Sequence, residues 1–262
     1  MILKKIIKKI DKILFFGFLK LIFYKIYFLI QDYSNQKYLK KFKYNYKNNY
    51  NYKNTLLSKL ADKYGTDKGY DNIKNRIFFN NWHPHNYTDY YSSLFDHTRD
   101  NVKKVFECGI GTNNPELPSS MGKQYSPGSS LRMWRDYFPN AVIYGADIDE
   151  NILFEDLRIK TFHVNQLSKP SIEKMWANIK VDNFDIIIDD GLHTFDAAIC
   201  LFNNSFAKLK NNGIYIIEDV DPSYLKELSS YLQIKNNIEF VSLKAINYKL
   251  LRDNNLIIVR KS

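Results

Sequence analysis

The most constraining feature of the sequence is a regular alternation, from Val102 onward, of short apolar runs and amphipathic helical patterns. Apolar runs of four to eight residues predict buried strands, whereas apolar positions spaced three and four residues apart predict helices. The predicted strands are Val102–Cys108, Ala141–Asp147, Lys160–Val164, Phe184–Asp189, Gly213–Glu218, Ile238–Leu243 and Leu256–Val259. The predicted helices are Ser130–Tyr137, Ser171–Ile179, Phe195–Leu209 and Tyr224–Gln233.

This alternation predicts the fold class. Strands separated by amphipathic helices form parallel βαβ units, so we expect an α/β protein with a Rossmann-like, doubly wound and mostly parallel sheet. The seven predicted strands end in a pair joined by a short polar segment, which is expected to form a terminal antiparallel hairpin. The chain has 262 residues, enough for one such domain with an appendage.

The appendage is the N-terminal segment, which carries the positive charge of the chain. Residues 1–54 contain thirteen of the 38 basic and two of the 28 acidic residues, so they carry a net charge of +11, and the remainder carries −1. A near-neutral body argues against a nucleic-acid partner, because phosphate binding needs positive charge at the groove. The two cysteines give no disulfide framework, as expected for a cytoplasmic protein.

Three regions are predicted along the chain. Residues 1–30 form a basic amphipathic helix that becomes apolar on all sides, interrupted by Lys20 and Lys25. Such a helix can lie on an anionic membrane surface, which would make the protein peripheral at the inner face of the membrane, or it can dock on a partner. The alternative is that it packs on its own domain or on a sister subunit of a homo-oligomer. Residues 31–54 read as a polar linker, and residues 55–262 as the α/β domain.

The ends of the first two predicted strands carry a nucleoside-binding pattern. The first strand runs into FECGIGT, which contains Glu107, Gly109 and Gly111. Glycines here let the backbone approach a ligand at the carboxyl edge of the sheet. Asp147 ends the second strand, where a carboxylate can accept hydrogen bonds from ribose hydroxyls. We therefore predict a nucleoside pocket, and the alternative is that each carboxylate only caps a loop.

Two acidic pairs follow the fourth and fifth predicted strands, in IIIDDGLH and IIEDV. Asp190, Glu218 and Asp219 are expected to converge at one edge of the sheet, and clustered carboxylates favour a hard divalent cation such as Mg²⁺. His193 lies close enough along the chain to take a proton from a hydroxyl bound there. The alternative is that Asp189 and Asp190 cap the next helix and that His193 is a polar residue of its first turn.

Two other patterns are interpreted differently. Tyr64 and Lys68 match the Y-x-x-x-K pattern of short-chain dehydrogenases, but they precede the first strand, so we attribute the match to chance. His83 and His85 lack a second pair of metal ligands nearby and are interpreted as lid or pocket residues.

Taken in order, the motifs resemble the metal-dependent sugar O-methyltransferases of macrolide biosynthesis, of the demethylmacrocin and mycinamicin type, which have relatives in bacterial capsule and lipopolysaccharide gene clusters. The matching segments are Leu60–Gly69, His85–Thr88, Phe106–Gly111, Ser130–Asn140, Gly145–Asp149, Asp189–His193 and Ile217–Val220. The terminal hairpin also fits the class I methyltransferase topology better than that of a dinucleotide dehydrogenase.

The resemblance implies S-adenosylmethionine and Mg²⁺ as cofactors. It implies that Asp190, Glu218 and Asp219 bind the metal and that His193 is the general base, so the expected catalytic residues are His193 and Asp190. The residues expected to bind the methyl donor are Glu107, Gly109, Gly111, Asp147, Ile148, Asn165, Gln166 and Asp189. Two departures from the family pattern affect the pocket: Asn165 stands where an acidic residue is usual, and the loop Thr112–Tyr125 is longer.

The expected reaction is methyl transfer from S-adenosylmethionine to a hydroxyl of a sugar or nucleotide-activated sugar, for a capsule or another surface polysaccharide. Two alternatives stay open from the sequence. One is an oxidative enzyme resembling the cephalosporin hydroxylases, which a facial triad of two histidines and one carboxylate would favour. The other is a non-catalytic, membrane-tethered protein that binds the cofactor.

Overall fold

A computed structural model of the protein describes Ile26 and residues 54–69, 85–123, 125–233, 237–242 and 253–262. The chain divides into two compact units, Met1–Phe42 and Lys43–Ser262. The predicted helix of residues 1–30, Ile26 apart, and nearly all of the predicted linker lie outside the described residues, so the three-region division stays a prediction. Within the described ranges, no helix combines the length and apolar character needed to cross a bilayer.

The described part of the second unit is built on one mixed sheet. Its strands are β1 (Lys104–Cys108), β2 (Val142–Asp147), β3 (Glu155–Asp156), β4 (Ile159–His163), β5 (Phe184–Asp189), β6 (Leu209–Ile217), β7 (Asn237–Ser242) and β8 (Asn255–Arg260). The strand order is β3-β4-β2-β1-β5-β6-β8-β7. Five neighbouring strands run parallel, in the order β4, β2, β1, β5 and β6. The strand β8 pairs antiparallel with both β6 and β7.

The predicted α/β class and terminal antiparallel hairpin are therefore confirmed, and the predicted strand number is corrected. The sheet has eight strands instead of seven, because the two residues of β3 pair antiparallel with β4 at one edge. Both residues of β3 are exposed acids, so no apolar run marks this strand in the sequence.

Six α-helices surround the sheet in the described ranges. They are α1 (Leu56–Tyr64), α2 (Tyr87–Phe95), α3 (Ser129–Tyr137), α4 (Lys169–Ile179), α5 (Phe195–Ser205) and α6 (Leu225–Gln233), with short 3₁₀ turns at Arg99–Asn101, Glu150–Ile152 and Phe206–Lys208. The side chains of Thr55, Ser168 and Thr194 cap α1, α4 and α5 by accepting a backbone N–H. Such caps satisfy donors that a helix start otherwise leaves unpaired.

The hydrophobic core joins the helices that precede β1 to the sheet. Side chains of α1, α2 and α3 form one buried cluster with the apolar residues of β1, β2, β5 and β6. Trp134 of α3 belongs to this cluster, with its ring centroid 5.5 Å from that of Tyr91 and 5.8 Å from that of Phe138. Because α1 and α2 pack in this core, the chain next to them, including residues 65–69, reaches the carboxyl ends of the strands.

Candidate active site

The site forms where the parallel strands β2, β1, β5 and β6 end side by side. The loop after β1 passes so close to the loop after β5 that a Cβ atom at Gly109 would lie 1.9 Å from the carbonyl oxygen of Asp190. Gly109 and Gly111 also have φ angles of 87° and 82°, which favour glycine. Gly109 thus allows the contact between the two loops, whereas a Cβ atom at Gly111 would lie 2.2 Å from the ring of Tyr125.

A cavity of about 230 Å³ opens at this edge. Nine residues predicted for the site line it: Gly109, Gly111, Asp147, Ile148, Asn165, Gln166, Asp190, His193 and Asp219. Three others, Glu107, Asp189 and Glu218, are buried beside the cavity without lining it. The structure therefore brings the predicted nucleoside-binding and acidic motifs to one cavity.

Asp147 is fixed at the end of β2 by backbone donors. Its two carboxylate oxygens accept hydrogen bonds from the N–H groups of Ile110, at 2.9 Å, and Asp149, at 3.0 Å. Burial raises the pKa of Asp147, and these N–H groups oppose that rise. A carboxylate has lone pairs for about four donors, so Asp147 can accept further hydrogen bonds from a ligand in the cavity.

Gln166 connects the loop after β4 to the loop after β5. Its Nε2 donates to Asp189 over 2.6 Å, and its Oε1 accepts from the backbone N–H of Leu192 over 2.9 Å. Burial raises the pKa of Asp189 to about 6. Because both ends of the amide are engaged, Gln166 holds the Asp190–His193 loop in place in addition to lining the cavity. Asp189, predicted to bind the cofactor, does not line the cavity but accepts hydrogen bonds from Gln166 and from the backbone of Gly191, which do.

Asp190, His193 and Asp219 form an acidic cluster that can hold a cation. One ligand atom from each lies within 4.8 Å of the others. His193 and Asp219 adopt φ angles of 54° and 52°, a left-handed conformation that is uncommon outside glycine and typical of constrained sites. Two carboxylates and one imidazole suit a divalent cation. Among the described residues this grouping contains one histidine, whereas the facial triad of an oxidative iron enzyme contains two.

The carboxylate of Glu218, the third predicted metal ligand, lies in a group of charged side chains around the buried ammonium of Lys68. We call this group the hub. Oε1 of Glu218 accepts from the hydroxyl of Tyr91 over 2.6 Å, and its Oε2 accepts from Nζ of Lys68 over 2.5 Å. The same Nζ donates to Asp190 Oδ2 over 2.5 Å and lies 3.2 Å from Glu107 Oε1. Glu107 also accepts from the indole N–H of Trp134. Lys68 thus ties together the ends of β1, β5 and β6.

The surrounding carboxylates keep Lys68 in its charged form. Burial acts to lower the pKa of the ammonium, but Asp190 and Glu218 outweigh burial and raise the pKa well above its ordinary value. Burial raises the pKa of Glu107 to about 7, against the opposing effect of Lys68. The Y-x-x-x-K match that includes Lys68 has no bearing on this role. The sequence signal that could have pointed to Lys68 is its position in the Leu60–Gly69 segment, which matches the family pattern.

His85 is interpreted from the sequence as a lid or pocket residue together with His83, which lies outside the described residues; His85 is buried and does not line the cavity. Its Nε2 lies 3.3 Å from Asp219 Oδ1, which also accepts from the hydroxyl of Tyr87 over 2.6 Å. Burial acts to lower the pKa of His85, but Asp219 raises it to about 10. Burial acts to raise the pKa of Asp219, but His85 and His193 bring it well below its ordinary range. His85 therefore pairs with one oxygen of Asp219, and the other faces His193 at 3.8 Å.

The strand order, the glycine loop and the acidic strand ends define the fold of the Rossmann-like methyltransferases. The MycE methyltransferase of the mycinamycin biosynthetic pathway, solved in complex with Mg, SAH and mycinamycin VI, shares this fold. The two structures align with a TM-score of 0.54 and 26% identity over 79% of this chain and 55% of MycE.

Curated relatives narrow the comparison to sugar O-methyltransferases. The chain is 30% identical to 8-demethyl-8-α-L-rhamnosyl tetracenomycin-C 2'-O-methyltransferase of Streptomyces olivaceus, over 64% of this chain and 38% of the relative. It is 31% identical to mycinamicin VI 2''-O-methyltransferase of Micromonospora griseorubida, over 64% and 37%. No protein-family model matches the chain. The predicted resemblance is confirmed, and the chain spans well under half the length of these relatives.

Proposed function

We propose that the protein transfers a methyl group from S-adenosylmethionine to a hydroxyl of a sugar. The observation that carries this proposal is that one cavity is lined by both the nucleoside-binding motif and the acidic cluster. A methyl donor held at Gly109, Gly111 and Asp147 and an acceptor held near His193 would then be neighbours. Holding both reactants in one cavity removes much of the entropic barrier to transfer.

The lining residues suggest how the methyl donor is held. Asp147 would accept hydrogen bonds from the ribose hydroxyls, and Ile148, Asn165 and Gln166 would border the adenine. Ile148 is 41% exposed, so it offers an apolar surface to a ring in the cavity. Glu107 and Asp189 would act indirectly, by holding the strand ends through their buried contacts.

The acceptor side depends on the acidic cluster. The carboxylates of Asp190 and Asp219 fit a divalent cation, Mg²⁺ by preference, whereas both oxygens of Glu218, the predicted third ligand, are engaged by Lys68 and Tyr91. When bound, such a cation would lower the pKa of a sugar hydroxyl. His193 would remove the proton of that hydroxyl, and the negative charge of Asp219 would stabilise the imidazolium that results.

The finer parts of the proposal concern the acceptor and the location. We infer that the sugar, free or nucleotide-activated, belongs to a capsule or another surface polysaccharide. The enzyme would act in the cytoplasm, peripherally at the inner face of the membrane through residues 1–30, and could assemble as a homo-oligomer. The net charge of +11 on residues 1–54 supports attraction to an anionic membrane surface.

The test is to incubate the full chain, Mg²⁺ and S-adenosylmethionine with nucleotide sugars and with simple glycosides. Mass spectrometry should detect the gain of one methyl group, and a chelator should abolish that gain. Asp147→Asn serves as the matched control, because it removes the charge that would face the ribose and keeps the side-chain shape. Calorimetric binding of NAD in place of S-adenosylmethionine would rule out the proposal.

A further inference from the structure

Lys68 binds two carboxylates at the edge of the acidic cluster, those of Asp190 and Glu218. Its ammonium lies 2.5 Å from both Asp190 Oδ2 and Glu218 Oε2, and its side chain is 2% exposed. A buried ion pair of this kind keeps a fixed geometry, since breaking it leaves an uncompensated charge. Asp190, with 20% of its side chain exposed, belongs both to this hub and to the cavity lining.

Both oxygens of Glu218 are engaged inside the hub, by Lys68 and by Tyr91. The cavity-facing cluster consists instead of Asp190, His193 and Asp219. The ammonium of Lys68 therefore competes with any cation in the cavity for the carboxylate of Asp190, and it holds Glu218 outside the cluster.

We propose that Lys68 is a positioning residue that sets the strength of the divalent-cation site, by holding Glu218 and one oxygen of Asp190 away from the cation. This inference rests on the proposed function, because it assumes that the cluster binds a divalent ion. Replacement of Lys68 is expected to change cation binding and catalysis in opposite directions. Removing Lys68 should strengthen cation binding, since a positive charge is lost beside a ligand, and should weaken catalysis, since Asp190 loses its fixed orientation.

The experiment compares the full-length wild type with Lys68→Met, using Mn²⁺ as the probe and electron paramagnetic resonance of the free ion to measure binding. The variant should bind Mn²⁺ at least about tenfold more tightly. Its kcat should fall about 100-fold with little change in KM for S-adenosylmethionine, as expected for a misplaced group. Lys63→Met is the matched control, because Lys63 is an exposed lysine of α1 that pairs with Asp136.

Lys68→Met leaves the buried carboxylates of Glu107 and Glu218 and the half-buried carboxylate of Asp190 without their cation, so a second variant guards against misfolding. Lys68→Met combined with Glu107→Gln removes one of these charges and should show the same tighter Mn²⁺ binding and lower kcat. A residue with a purely structural role would give unchanged or weaker Mn²⁺ binding, and that result overturns the proposal. Failure of both variants to fold in saturating Mn²⁺ overturns it too, because the divalent ion should replace the ammonium as counter-charge.

The proposed methyl transfer and the proposed role of Lys68 are tested by separate measurements. A wild type that binds Mn²⁺ but methylates no acceptor would contradict the proposed function, while the Mn²⁺ affinities would still decide the role of Lys68. The absence of Mn²⁺ binding in both the wild type and Lys68→Met would overturn the inference. Methyl transfer in the presence of chelator would then leave a metal-independent methyltransferase.

Discussion

Replacement of Gly109 by alanine should damage both the stability and the site, and its cost can be worked out from the structure. The residue has a φ of 87°, which costs an alanine roughly 1–2 kcal/mol. The new Cβ would also lie 1.9 Å from the carbonyl oxygen of Asp190, a distance that forces one of the two loops to move. Overpacking of this kind typically costs about 1–3 kcal/mol. We therefore expect the free energy of unfolding to fall by about 2–5 kcal/mol.

The measurement is urea denaturation followed by tryptophan fluorescence, with calorimetric titration of S-adenosylmethionine on the same samples. Gly65→Ala is the matched control, because Gly65 ends α1 with a φ of 82° and does not line the cavity. It should lose only the roughly 1–2 kcal/mol due to φ and should keep its affinity for the methyl donor. If Gly109→Ala were no less stable than Gly65→Ala and bound the donor normally, the close approach of the two loops would not constrain the site.

Four further predictions follow from other parts of the molecule. His193→Ala should lower kcat by about 10²–10⁴, as for a removed general base, and steady-state kinetics should show an unchanged affinity for S-adenosylmethionine. Asp147→Ala should weaken binding of the methyl donor by roughly 1.5–3 kcal/mol for each hydrogen bond lost, measured by calorimetry. Deletion of residues 1–54 should leave a folded, active protein, and only the full-length chain should sediment with anionic liposomes at low salt; an unfolded truncated protein would contradict this. Burial acts to raise the pKa of Asp136, but hydrogen bonds from Tyr64 and Lys63 lower it from 3.8 to about 2. Its contribution to stability should therefore be full above pH of about 4 and lost as the pH falls through about 2, and Asp136→Asn should remove that acid-dependent part of the unfolding free energy.

Much of the fold was accessible from the sequence, since it depends on local periodicity and on general rules of chain topology. Alternating apolar runs and helical patterns predicted the parallel sheet and its terminal hairpin. The rule that parallel strands share one carboxyl edge then predicted that Asp190, Glu218 and Asp219 would converge there. The structure groups Asp190 and Asp219 with His193, while the carboxylate of Glu218 is buried beside them. The strand β3 and the helix α2 were missed, because short polar strands and Tyr-rich helices carry weak periodic signals. The helix α1 was missed although Leu57, Leu60 and Ala61 follow a helical spacing.

The sequence by itself determined that the glycine loop and the acidic strand ends reach the site, because strand ends and glycine loops follow from the pattern of the chain. Only the tertiary structure decided which way those groups turn. Lys68 binds Asp190 and Glu218 across separations of 122 and 150 residues, and His85 reaches Asp219 from the chain before α2. These pairings depend on how α1 and α2 pack against the sheet. Burial makes them decisive, since a carboxylate removed from water must find a partner wherever the fold provides one.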